Sequence, residues 1–71
     1  MTVDHARAVD GIIRALDDPY AENRREAALA AWHLGIADPD LVEALGRRAS
    51  ADESERVRSK ADDALRALGR R

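Results

Sequence analysis

Seventy-one residues with 12 basic and 14 acidic side chains, a net charge of −2 and no cysteine set the limits of one small domain without disulfide or thiolate chemistry. A chain of this size buries only about 60% of its unfolded surface, so close helix packing, a metal or a partner must supplement its core. The charges are interspersed, which is a salt-bridged surface and not the basic footprint of a nucleic-acid binder, and no apolar run nears the ~18 residues of a membrane span.

Fifteen alanines and eleven arginines, with few β-branched residues, favour helix throughout and predict an all-α fold. The first helix is expected over Val3–Asp17, with Val9, Ile12, Ile13 and Leu16 at helical spacing. Asp17-Asp18-Pro19 ends it, because a residue before proline is pushed out of the α region. Asp18 then reads as the cap of a second helix, with Pro19 at its first position. That helix runs to Leu34, where Gly35 supplies a left-handed stop. Asp38-Pro39 repeats the cap-then-proline device and opens a third helix, Pro39–Ala49. Ser50-Ala51-Asp52-Glu53 reads as a capping box for a fourth, which carries Val57, Ala61, Ala64, Leu65 and Leu68 and stops at Gly69. Arg70 and Arg71 suit the negative end of its dipole.

Four helices with short connections read as two antiparallel hairpins, and the hairpins resemble each other. A shift of 33 pairs Val9 with Val42 and Ile12 with Leu45. A shift of 34 pairs Asp18 with Asp52, Arg24 with Arg58, Ala27 with Ala61, Leu34 with Leu68 and Gly35 with Gly69. A single inserted residue in the second turn reconciles the two shifts. The organisation expected is one domain, 1–71, made of units 3–36 and 37–69 with a basic tail at 70–71.

Leu16-Asp17-Asp18-Pro19 with Arg24, Ala27 and Leu34-Gly35, and again Asp52, Val57-Arg58, Ala61, Ala64-Leu65 and Leu68-Gly69, resemble HEAT repeats. The likeness is to the short bacterial type, similar to the HEAT-like repeats of phycobilisome lyases. It implies a short α-solenoid in which Asp18, Arg24, Asp52 and Arg58 tie the turns of adjacent repeats together. The chain departs from the pattern at Asn23, where the family prefers Val, and at Ser50, where it prefers Leu.

The second helix has two apolar faces. At about 100° per residue, Ala30, Ala31 and Leu34 fall within roughly 60° of Ala27, which is the face expected toward the first helix. Arg25, Leu29, Trp32 and Ile36 lie nearly opposite, on the side that lines the concave surface of such arrays. The fourth helix has Ser59, Asp63 and Arg66 at the positions matching Arg25, Leu29 and Trp32. The fold position therefore does not itself demand apolar residues. Two readings of Trp32 stand: a core residue of a four-helix bundle, or the anchor of a partner-binding patch with Arg25, Leu29, Ile36 and Arg66, since Trp and Arg are enriched at binding hot spots.

Other chemistry has little to stand on. His5 and His33 have no convergent ligands for a metal. The pairs Asp17/Asp18 and Asp62/Asp63 are sequence neighbours whose side chains diverge on a helix. Serines 50, 54 and 59 lack a base and an oxyanion loop, and the isolated glycines form no phosphate cradle. Gly11 and Gly46, inside helices, read as sites of close packing or of a small stability cost. The expectation is a cytoplasmic protein–protein interaction module with no catalytic residue, cofactor or metal, and no membrane role. A structural homo-oligomer that consumes the same patch is the alternative. A nucleic-acid backbone binder using Arg25, Arg66, Arg70 and Arg71 comes third, because neighbouring carboxylates compensate those charges.

Overall fold

The computed structural model describes residues 3–71 and contains four helices, α1 (Val3–Ala15), α2 (Ala21–Leu34), α3 (Pro39–Ala51) and α4 (Glu55–Ala67). No strand occurs among the described residues. α4 packs extensively on both α2 and α3, while α1 covers α2 and, less closely, α3. The result is a two-layer arrangement, α1 beside α3 and α2 beside α4. Its radius of gyration is 10.7 Å, against about 11 Å for a compact domain of this length. No described helix is long and apolar enough to cross a membrane.

Local signals set most of the boundaries. Asp38 caps α3 as expected: its carboxylate accepts the N–H groups of Asp40 and Leu41 at 3.0 Å, with Pro39 in the first turn. Gly35 ends α2 at φ +69°, its N–H returning to the Ala31 carbonyl. α4 closes with Gly69 at φ +73°, while Gly69 N–H bonds Arg66 O and Arg70 N–H bonds Leu65 O. That pair of bonds is a Schellman motif, which satisfies carbonyls the helix leaves orphaned.

Four boundaries differ from expectation. α1 stops at Ala15, and tighter three-residue turns from Asp17 N–H to Arg14 O and from Asp18 N–H to Ala15 O carry the chain to Pro19. α2 begins at Ala21 with Tyr20 at the N-cap, not with Pro19 at the first helical position. Asp18 stabilises the turn before it, accepting Tyr20 N–H at 2.8 Å. Ser50 opens no helix: it lies in the last turn of α3, its hydroxyl donating to the Gly46 carbonyl. α3 runs on to Ala51, which absorbs the extra residue of the second turn. Asp52 is its C-cap, and Ser54 caps α4, accepting Val57 N–H.

The core lies between the layers and includes Leu16, Leu41, Leu45 and Val57, each almost wholly buried. The buried apolar residues of α2 are all small, Ala27, Ala28 and Ala31, and let α4 approach closely, while Leu34 packs half-buried at the core's edge. Ala30, expected on that face, is exposed, and Ala28 is buried in its place. The buried arc is rotated from the expected one because α2 packs more on α4 than on α1. Gly11 and Gly46 do not mark close approaches either, since a Cβ built at each meets nothing within 4 Å.

Candidate functional site

Two sites can be built from these elements, one at the turns and one on the α2/α4 face. At the turns, Arg24 in the second turn of α2 is 5% exposed and Asp52 is 4% exposed. Two charges can sit there only because each is paired and hydrogen-bonded. Arg24 Nε donates to Asp52 Oδ2 at 2.8 Å and Nη2 to Oδ1 at 3.1 Å, a bidentate pair joining the first hairpin to the second. Nη1 donates to the carbonyls of Asp18 (2.8 Å) and Pro19 (3.1 Å) in its own turn.

Asp52 is saturated. Besides Arg24, its carboxylate accepts Ser54 N–H at 2.9 Å and Arg48 Nη1 at 3.4 Å. Arg58 Nη1 donates to its carbonyl at 2.6 Å. No buried side-chain polar atom among the described residues lacks a partner. Burial alone would push the Asp52 carboxyl up. The hydrogen bonds from Arg24 and Ser54, with the charges of Arg24 and Arg48, hold it below the ordinary aspartate value. The bond to Asp52 correspondingly raises Arg24, although desolvation works against it.

All four turn residues singled out from the sequence come together here, with Arg24 reaching across to Asp52. Arg48 completes the cluster and was not singled out. Its signal was the i,i+4 spacing to Asp52, which has force only once α3 is known to continue to Ala51.

On the α2/α4 face, Trp32 is 44% exposed and is, among the described residues, one of two exposed large hydrophobic residues, the other being Tyr20 at the N-cap. Trp32 is therefore not a core residue. Leu29 and Arg25, one and two turns earlier, are half-buried beside it. Arg25 is held by Glu22 (3.3 Å) and Glu26 (3.9 Å). Lys60 of α4 places Nζ 5.3 Å from the Trp32 ring centroid, within cation–π range, and 3.6 Å from Asp63. The His33 ring lies 5.7 Å from that of Trp32, with 20° between the planes. Arg25 and Lys60, with Glu55, Arg56 and Ser59, line a shallow groove along this face.

Ile36 and Arg66 do not join the patch as expected. Ile36 follows the Gly35 stop, so the helical phase that put it beside Trp32 no longer applies, and it packs against the core. Arg66 is exposed and turned to Asp62 at 2.9 Å. Lys60 is the cation that reaches the Trp. It is the chain's only lysine, but its proximity to Trp32 follows from how α2 and α4 pack, which no local pattern encodes.

Among the described residues, no group of three or more His, Asp or Glu side chains is arranged to hold a metal ion. Asp62 pairs with Arg66 and Arg71 while Asp63 pairs with Lys60, so the two carboxylates face different partners. No protein-family model matches this chain, and no curated protein or solved structure matches it either.

Proposed function

We propose that this chain is a small HEAT-like interaction module that binds another protein through the α2/α4 face, with Trp32 as the anchor and Leu29, Arg25 and Lys60 around it. The supporting observation is the exposure of Trp32 on a helix whose other face already serves the core. An aromatic left half in water offers a partner a large apolar area at little entropic cost, and such anchors contribute 2 kcal/mol or more to binding (roughly). Arg25 and Lys60, with Glu22, Glu26 and Asp63, form a polar rim that fixes orientation. In this reading the protein works in the cytoplasm, catalyses nothing, and acts by rigid display. The resemblance of Asp18/Arg24 and Asp52/Arg58 to the HEAT turn pattern supports the repeat assignment, because Arg24 joins the two hairpins as an inter-repeat residue would.

The test is affinity capture with wild type and Trp32→Asp, both checked for helical content and cooperative melting. Capture of a defined protein by wild type, lost in the folded variant, is the expected result. Equal capture by both removes Trp32 from the binding role. Tryptophan emission adds a second readout, since Trp32 is the only tryptophan. Emission that shifts blue with concentration while the mass doubles would assign the face to a second copy instead.

A further inference from the structure

We propose that the α3–α4 end of the molecule is an open clasp that takes the Asp18 turn of a second copy of this chain. The inference comes from two turns that share three features and differ in what their carboxylates meet. Their N-cap residues share a backbone conformation, φ −91°, ψ 124° at Tyr20 and φ −91°, ψ 123° at Ser54. In each, the turn aspartate accepts the N–H two residues on, at 2.8 Å for Asp18 and 2.9 Å for Asp52. In each, the arginine six residues on donates to that aspartate's carbonyl, at 2.8 Å for Arg24 and 2.6 Å for Arg58.

The likeness stops at the carboxylate. Arg24 closes on Asp52 of the next hairpin with Nε and Nη2. Arg58, placed the same way in α4, pairs with no carboxylate among the described residues. Asp18 shows the converse: its carboxylate accepts from Tyr20 N–H and Asn23 Nδ2, and among the described residues no arginine forms an ion pair with it, Arg24 of its own turn feeling only its charge. One end of the molecule thus carries the donor half of a clasp and the other end carries the acceptor half. The displacement that relates the first hairpin to the second, applied once more, sets Asp18 of a second copy on Arg58. That contact is heterologous, so it builds rings or open chains and not only dimers.

The junction is weaker than the internal one. Ala28, wholly buried between the hairpins, corresponds at a shift of 34 to Asp62. Asp62 holds Arg66 and Arg71 at 2.9 Å each, and part of that hydrated network must give way on docking. The association therefore belongs to the weak, concentration-dependent class.

Sedimentation and light scattering of the 71-residue chain over a wide concentration series, at low and high salt, test this. The weight-average mass is expected to rise past twice the monomer value, and to fall back with salt. Asp18→Asn and Arg58→Gln each break one half of the clasp and should each lower the association constant at least tenfold. Mixed in equal amounts, they retain one intact Asp18 and one intact Arg58 and should form a dimer that grows no further. That recovery also shows that both variants are folded. A wild type that stays monomeric, or a mixture that does not associate, overturns the proposal. So does association that both variants preserve and Trp32→Asp abolishes, which places the contact on the α2/α4 face. The proposal rests on the two turns and is independent of the binding role of Trp32, so each can fail without the other.

Discussion

Removing one member of a buried ion pair leaves the other uncompensated, at a cost of about 3–5 kcal/mol. Asp52→Ala is therefore expected to consume most of the stability of so small a domain, read as the loss of a urea-unfolding baseline at 25 °C. The same carboxylate sets an acid limit. Because its folded pKa lies below the ordinary 3.8, its stabilisation is complete above that unfolded value and is lost as pH falls through the lowered one. Melting temperatures measured from pH 6 to pH 2 should fall more steeply for wild type than for Asp52→Asn. An equal slope would mean that other carboxylates carry the acid sensitivity. The identities of these turn residues were visible in the sequence as a spaced Asp/Arg pattern. Which Asp each Arg meets was not, because a guanidinium reaches both its own turn and the next.

At the scale of single helices, the two kinds of glycine predict opposite outcomes. Gly35 sits at φ +69°, where a Cβ crowds the following carbonyl, so Gly35→Ala should destabilise by about 1–2 kcal/mol. Gly46 lies within α3 with open space around its Cα, so Gly46→Ala should stabilise by about 0.5–1 kcal/mol through the unfolded chain. Chemical denaturation of the two variants checks both signs. The glycine stops of α2 and α4 and the Asp38 cap were legible because their causes lie within a few residues. The start of α4 was misplaced because Ser50 and Ser54 both precede a polar run, and only the continuation of α3 to Ala51 decides between them.

Across the whole molecule, the core and the candidate face separate by how each answers truncation. Leu45 is wholly buried, so Leu45→Ala should cost about 2–5 kcal/mol through the lost transfer energy and the cavity left behind. Trp32→Ala removes a half-exposed ring and a cation–π contact with Lys60, itself worth about 0.5–1 kcal/mol at an exposed site. It should lower stability far less than Leu45→Ala, despite removing a larger side chain. Parallel urea titrations compare the two. A Trp32→Ala loss as large as that of Leu45→Ala would return Trp32 to the core.

The sequence alone determined that the chain is all-α, that it has four helices, and where Gly35 and Asp38 end and begin them. Each of these depends on propensity, on a period or on a hydrogen bond spanning a few residues. It also separated α2 into two faces, one for the fold and one without a counterpart on α4. Only the tertiary structure decided that Ala28 and not Ala30 is buried, that Ile36 leaves the patch, and that Lys60 stands over Trp32. It also decided that Arg24 closes on Asp52 across the hairpins. A helical period gives the direction of a face but not the neighbour it meets, and long cationic side chains find partners by distance in space.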